Sequence, residues 1–405
     1  MSKEINGFSK LSKEEKINWI ADNFFTDSPT AKRILKQYWN EEDKLQKLHY
    51  EFSENTLSNF YLPFSIAPNF LINDKKYSIP MVIEESSVIA AASKSAKLWS
   101  DLGGFKAKVI SKIKTGQVHF IFKGEKKKLF DFFKNLKPLL YKECEEISSN
   151  MTKRGGGIID IELIDKTTDI PNYYQLNATF DTVDSMGANF INSSLEQFAK
   201  TLIKESNLNS TFSKKEKNIE VIMSILSNYV PECLVRAEVS CSIEELSEDK
   251  EFNGNIFAQK FLQAIQIAKT QTVRAVTHNK GIMNGVDSVV IATGNDFRAV
   301  EAGVHAYASK NGSYTSLSDV NINNDVFTFS IELPISLGTV GGITNLHPLV
   351  KWSLNLLGNP SGKELMRIVA VAGLSQNFGA LKSLITSGIQ KGHMKMHLIN
   401  ILNTR

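Results

Sequence analysis

Residues 277–303 read THNKGIMNGVDSVVIATGNDFRAVEAG. An ammonium group, Lys280, sits among glycines and amides; an apolar run, Ser288–Ala292, follows and leads to TGND with a carboxylate at Asp296. The β-branched run predicts a short buried strand with one polar cluster at each end. Lys280 reads either as a surface turn residue or as a desolvated cation that polarises a carbonyl or stabilises an oxyanion. Asp296 reads either as the cap of a helix beginning near Arg298 or as the partner of that lysine. Spacing alone leaves both pairs of readings open.

Outward from this stretch, helices and strands alternate. On the N-terminal side, residues 9–50 predict two or three short amphipathic helices, with Asp27 or Ser28 capping one that has Pro29 in its first turn. Residues 60–84 read as extended chain with a turn at Asn73-Asp74, and 87–102 as a helix of small residues ended by Gly103-Gly104. From about 108 the pattern is strand, strand, helix 126–150, strand 158–165, strand 173–184, helix 188–205: a compact α+β unit with 206–218 as the return linker. A long helix at 253–270 precedes the opening stretch. A strand at 325–334 and helices near 348–357 and 363–386 follow it. A larger domain interrupted by a smaller one is the organisation expected.

Composition narrows the class. A chain of 405 residues, 42% hydrophobic and 22% charged, is that of a globular protein of two or three domains. The formal charge of +4 gives no electrostatic case for nucleic acid. No apolar leader opens the sequence, and no uninterrupted apolar run approaches the ~18 residues of a membrane span. Cys144, Cys233 and Cys241 lack CxxC spacing, so neither a disulfide framework nor a zinc site is indicated. These features predict a cytoplasmic protein with no membrane or nucleic-acid partner.

GxGxxG, GxxxxGK[ST], HExxH and GxSxG are absent from the sequence. Candidate chemistry rests instead on isolated polar residues near glycines. Glu84 and Glu85 precede the helix SVIAAAS, where acids complement a helix N-terminus or one serves as a general acid. Asp184-Ser-Met-Gly-Ala-Asn189 lies at a strand-to-helix turn, whose backbone amides suit an anion or simply form a capped turn. His393 and His397 stand one helical turn apart with no third metal ligand evident, leaving a single histidine acid or surface positions.

Five motifs, PMVIEESSVIAAAS, DSMGAN, THNKGIMNG, ATGND and GHM, occur in one order and together resemble the class II (bacterial-type) 3-hydroxy-3-methylglutaryl-CoA (HMG-CoA) reductases over roughly residues 54–397. The resemblance implies an α+β fold: a large mixed α/β substrate-binding domain (1–107 and 218–386), a small ferredoxin-like, non-Rossmann NAD(P)-binding domain (108–217), and the start of a C-terminal flap (387–405). It implies a four-electron reduction of HMG-CoA to mevalonate and coenzyme A, or the reverse, with two NADH or NADPH, through mevaldyl-CoA and mevaldehyde. Lys280 would stabilise the carbonyl oxygen, Asp296 would bond that lysine, Glu85 would be the proton partner of the aldehyde oxygen, and His393 would protonate the departing thiolate. Ser87 and Arg274 would hold the substrate's free carboxylate, and Asn284 would be a polar contact near the lysine. Asp184, Met186, Gly187, Ala188 and Asn189 would form the cofactor turn. A homodimer with its active site at the subunit interface is implied, possible also as an assembly of dimers.

The sequence departs from the family pattern at Ser58, where a glycine is usual, at Ser86 in place of proline, and at Ser185 in DSMGAN. Only twelve residues follow His393, against a family flap of about fifty. Two other readings compete: a Schiff-base lyase or aldolase built on a desolvated Lys280, and a CoA- or nucleotide-binding protein without turnover.

Overall fold

A computed structural model of the chain describes residues 5, 7–246 and 253–386. The expected flap start, 387–405, and with it His393, lies outside the described residues. The chain divides into two compact units, residues 1–63 and residues 64–405.

The first unit holds α1 (Lys13–Phe24), α2 (Ser28–Gln37) and α3 (Asp43–Glu51). A reciprocal box between Ser12 and Glu15 caps α1, and Asp27 caps α2 with proline in its first turn. Ser58, the departure from glycine, donates its hydroxyl to the carbonyl of Leu35 at 2.5 Å and so ties its segment to the end of α2.

The second unit opens with the hairpin β1 (Phe64–Ile72) and β2 (Lys75–Val82), turned at Asn73-Asp74 with both residues at positive φ. Next come α4 (Ser86–Asp101) and β3 (Lys106–Val109). Then follow β4 (Lys114–Ile121), α5 (Lys126–Glu143), α6 (Glu145–Lys153), β5 (Gly157–Asp165), β6 (Tyr173–Asp181), α7 (Ala188–Leu208), α8 (Lys214–Lys217) and β7 (Glu220–Leu226). The predicted helix 126–150 is therefore two helices, parted at Cys144. Beyond them lie β8 (Leu234–Ser242), α9 (Gly254–Thr270), α10 (Thr272–Ala292), α11 (Phe297–Ala308), β9 (Ser318–Asn323), β10 (Val326–Pro334), α12 (Pro348–Leu356) and α13 (Gly362–Ile385).

Two four-stranded antiparallel sheets organise these elements. One runs β5-β6-β4-β7 and the other β3-β8-β10-β9. The first has β-α-β-β-α-β connectivity, the ferredoxin-like arrangement. It differs from the predicted strand pattern at both ends: the strand near 108 pairs with β8 in the other sheet, whereas β7, read as lying past the return linker, completes this one. Each sheet has its own apolar cluster. Val118, Phe120, Phe180, Leu195 and Phe198 fill the first, against α5 and α7. Trp99, Phe261, Phe329, Val369 and Phe378 lie in the second, where α4, α9, α10 and α13 pack.

The run Ser288–Ala292, predicted as strand, lies inside α10. Buried Ala275, His278, Ile282, Val286 and Val289 recur at helical spacing, while Lys280, Asn284 and Asp287 share the less buried side. A short β-branched run cannot distinguish a strand from a buried helical turn; the periodicity on its N-terminal side decides it. The partner helix, α13, is long and apolar enough to cross a membrane, but 67% of its most apolar window is buried within the fold. Contact between the two helices is nearly backbone to backbone: a Cβ on Gly285 would lie 2.4 Å from the Ala372 carbonyl oxygen, and one on Gly373 would lie 2.8 Å from Val286 Cγ2.

Opposite outcomes are expected for two substitutions on this helix. Gly285→Ala should destabilise by about 1–3 kcal/mol through overpacking, despite gaining about 1 kcal/mol of helix propensity. A methyl at Gly281 meets open space, so Gly281→Ala should stabilise by about 1 kcal/mol. Urea unfolding of both variants checks the pair, and a stabilised Gly285→Ala would refute the close helix contact.

Candidate active site

Glu85 occupies the N-cap position of α4, yet its carboxylate makes no cap bond to that helix. Instead Oε1 accepts a 2.6 Å hydrogen bond from Ser87 Oγ, and Oε2 lies 3.7 Å from Lys280 Nζ. The β2–α4 junction and the middle of α10 thus bring a carboxylate and an ammonium group together. The Lys280 side chain is 63% exposed and that of Glu85 35%. An ion pair so hydrated adds little stability, and its members remain available to a ligand. Among the described residues of one chain Lys280 is thus solvated, whereas the sequence reading allows a desolvated cation. Ser87, expected on the substrate carboxylate, here orients Glu85.

Asn284 lies one turn after Lys280 on the same side of α10 and is half-buried. Asp296 caps α11: Oδ1 accepts from the amides of Arg298 (3.1 Å) and Ala299 (3.2 Å), and the Arg298 guanidinium grips both carboxylate oxygens at 3.2 Å. Burial is the largest influence on this carboxyl group and pulls its pKa up, but Arg298 and the amide bonds outweigh it and hold it below the ordinary range. Among the described residues Asp296 forms no ion pair with Lys280; the contact implied by the resemblance is replaced by one to Arg298.

Arg274, half-buried near the start of α10, is lowered from the usual guanidinium pKa by burial. Deeper in the same helix, His278 Nε2 meets Ser318 Oγ at 2.6 Å. Burial, aided by the charge of Arg274, pushes His278 down to about 3. A polar chain that sequence reasoning missed joins α10 to α11. Burial and the neighbouring Glu301 carboxylate push the Asp287 carboxyl well above the ordinary range; Glu301 pairs with His305 at 2.6 Å, and His305 meets the Tyr314 hydroxyl at 2.7 Å. Helical spacing of Asp287 from Lys280, and of Glu301 from His305, is the signal that could have found it.

The stretch 184–189 forms a turn between β6 and α7. Gly187, at φ 83°, is the N-cap of α7; its own amide donates to Ser185 Oγ at 3.0 Å, and among the described residues no side-chain cap bond closes the first turn of the helix. A Cβ there would lie 2.3 Å from Thr182 Cγ2, so the position requires glycine. Amides of the first turn of α7, from Ala188 and Asn189 onward, suit an anionic group such as a dinucleotide phosphate. Asp184 serves structure: its Oδ1 accepts from Gly362 N at 2.7 Å at the start of α13, and its carbonyl accepts from Thr339 N at 2.8 Å. Met186 and Ala188 border a cavity of about 20 Å³, room for one water, whose walls include Lys114, Ile191 and Ala299. Lys114 is a second residue that sequence reasoning missed. Its signal is the alternation of β4, which puts residue 114 in phase with buried Val118 and Phe120.

Residues 13–398 match the family model for hydroxymethylglutaryl-coenzyme A reductase. The chain belongs to that family. It is similar to the 3-hydroxy-3-methylglutaryl-coenzyme A reductase of Archaeoglobus fulgidus, 35% identical over 405 residues that cover 99% of this chain and 87% of the relative. A probable reductase of Borreliella burgdorferi is 34% identical over 356 residues, 87% of this chain and 78% of that one. A solved HMG-CoA reductase from Streptococcus pneumoniae aligns with a TM-score of 0.78 at 36% identity, covering 97% and 90% of the two chains. A class II reductase structure from the same organism, bound to NADPH in open conformations, gives 0.76 at 35%, covering 94% and 99%. The mixed helix-and-sheet fold is that of the class II reductases, and the chain is an oxidoreductase of the HMG-CoA reductase family.

A pH dependence of stability follows from His278. Its folded pKa of about 3 lies below the unfolded value of about 6.5, so the unfolded chain binds more protons between those limits. Stability should be full above about pH 6.5 and fall as the pH drops, by about 1–2 kcal/mol between about pH 6.5 and 5. Urea midpoints for the native chain and His278→Gln check this; an equal acid slope in the variant would exclude His278 as its source.

Proposed function

We propose that Lys280, Glu85 and Asp296 form the centre at which HMG-CoA is reduced to mevalonate and free coenzyme A, a four-electron reaction that the same groups serve in reverse. The observation that supports it best is the Lys280–Glu85 pair: a carboxylate withheld from its own helix end and directed at an ammonium group on another element. Reduction of a thioester places negative charge on the carbonyl oxygen, and Lys280 is the cation in position to stabilise it. Glu85, oriented by Ser87, exchanges a proton with the oxygen at the aldehyde level. For Asp296 the proposal asks for one rearrangement: its carboxylate must exchange the Arg298 guanidinium for the Lys280 ammonium.

Arg274 and Asn284 are proposed to bind the substrate, Ser87 to assist them, and His393 to protonate the departing thiolate. NADPH is the cofactor to test first, since a similar class II structure holds it, and NADH the second; each supplies hydride. Asp184, Met186, Gly187, Ala188 and Asn189 are proposed as the turn that receives it, within a nicotinamide-binding unit built on β4–β7. The residues fit: a helix N-terminus whose N-cap must be glycine, and whose first-turn amides take no side-chain cap among the described residues, is a ready anion cradle. We further propose a cytoplasmic homodimer with the site at the subunit interface. Val273 and Val276, exposed on α10 ahead of Lys280, are apolar surface that a second copy would cover.

A Schiff-base lyase finds no support in an exposed, ion-paired lysine. The deciding assay follows HMG-CoA-dependent oxidation of NADPH and NADH. Lys280→Ala should lower kcat by about 10²–10³-fold or more, the loss typical of removing an oxyanion partner, and Glu85→Gln should spare cofactor binding while lowering kcat. An undiminished rate in Lys280→Ala would overturn the assignment, and covalent trapping of substrate on Lys280 by borohydride would favour the lyase.

A further inference from the structure

Lys114 opens β4 and is only 5% exposed, yet no carboxylate forms an ion pair with it among the described residues. Asp181, the acid whose charge acts on it, pairs instead with Lys112 at 2.8 Å. Lys114 Nζ donates to Thr182 Oγ1 at 2.5 Å, the Ser185 carbonyl at 2.7 Å and the Met186 carbonyl at 2.9 Å. Thr182 Oγ1–H donates a hydrogen bond to the Ser185 carbonyl at 2.6 Å, which leaves a lone pair of the hydroxyl for the ammonium. All the acceptors belong to one turn, 182–186. That turn needs holding, because Val183, a β-branched residue, sits at φ 52° and Gly187 at φ 83°.

A buried cation without a carboxylate is costly, and an apolar side chain of similar volume would be cheaper if packing were its only task. The geometry gives the charge a use. Each carbonyl on Lys114 belongs to a planar peptide whose N–H points the opposite way. The ammonium therefore aligns the dipoles of the Ser185–Met186 and Met186–Gly187 peptides with their positive ends away from it, just before the N-terminus of α7.

We propose that Lys114 is a positioning residue for the nicotinamide cofactor, which holds the turn 182–187 in shape and supplies a fixed positive charge behind the α7 N-terminus where the cofactor's phosphates dock. This rests on the reading of residues 184–189 as the cofactor turn. Burial lowers the Lys114 pKa to about 8, so the charge is present at neutral pH and fades above it. Cys233, Asp181 and Lys112 are the other titratable groups that act on it, and all remain when Lys114 alone is replaced.

The test measures NADPH binding by fluorescence without HMG-CoA, near pH 7 and near pH 9, for the native chain and Lys114→Met, with HMG-CoA binding followed by calorimetry. At neutral pH, Lys114→Met should raise the NADPH Kd about tenfold, as loss of a charge beside a helix terminus allows, and leave the HMG-CoA Kd within about twofold. The native Kd should rise toward pH 9 and that of Lys114→Met should not. If NADPH binding and its pH dependence match the native chain, or if both ligands weaken equally, the proposal fails. Should Lys114→Met not fold, Thr182→Val removes one acceptor and keeps the cation; its NADPH Kd should rise about threefold, and an unchanged Kd counts against the proposal. Gly187→Val separates the two readings. If it leaves NADPH binding intact, the turn is not the cofactor site; if it abolishes binding while Lys114→Met does not, only the role of Lys114 is lost.

Discussion

Close approach of α10 and α13 is the constraint on which the site depends. With Gly285 against the Ala372 carbonyl and Gly373 against Ile282 and Val286, the two helices meet at a distance that admits no side chain at these points. Interiors packed this tightly do not slide continuously, so the rotation of α10 about its axis is fixed. Fixing that rotation fixes which residues keep solvent exposure, Lys280 foremost, with half-buried Asn284 on the same side. The lysine faces Glu85 because its opposite side is held by glycine against backbone.

α10 also explains why the decisive stretch was only partly legible. Polar residues were readable as a set: the lysine and the DSMGAN turn stood out by their glycine neighbours, the glutamate by its place before a helix of small residues, and all three by their order. Conformation was not, because Ser288–Ala292 has a strand's composition, and only its partner helix makes a helix the better burial for it. β7 was missed for a related reason. Ile222, Met223 and Ile225 are apolar yet exposed, two of them adjacent at an irregularity in the pairing with β4, so its pattern lacked the clean alternation and polar outer face that mark an edge strand. Lys114 was passed over because a lysine is usually solvated: the alternation of β4 puts it in phase with buried Val118 and Phe120, but the acceptors that explain its burial lie about seventy residues away, across β6. Caps, by contrast, are local chemistry, and Asp27 and Asp296 were both within reach of sequence reasoning.

Asp296 shows how one carboxylate can satisfy two readings in turn. As the α11 cap it accepts two amides, which a helix end demands, and its remaining capacity goes to a guanidinium that is itself 78% exposed. A salt bridge to so hydrated a partner is worth little. Exchanging it for another cation costs correspondingly little, while the amide bonds keep the carboxylate in place. The polar chain from Asp287 through Glu301 to His305 acts on the same helix from its other side, holding α11 to α10.

Electrostatics then sets what the arrangement still requires. An ammonium group stabilises a developing oxyanion by several-fold more in a water-excluded site than in water, since the interaction scales inversely with the effective dielectric constant. Lys280, exposed over most of its side chain, has the right neighbour and the wrong medium. Bound substrate must remove part of that water, and the substrate's coenzyme A moiety is large enough to do so on one side. The proposed second subunit has a physical task on another: apolar Val273 and Val276 border the lysine on α10, and covering them would lower the local dielectric constant where charge develops. Geometry is thus established within one chain, by glycines that set the helix contact. The catalytic strength proposed for Lys280 depends on what closes over it.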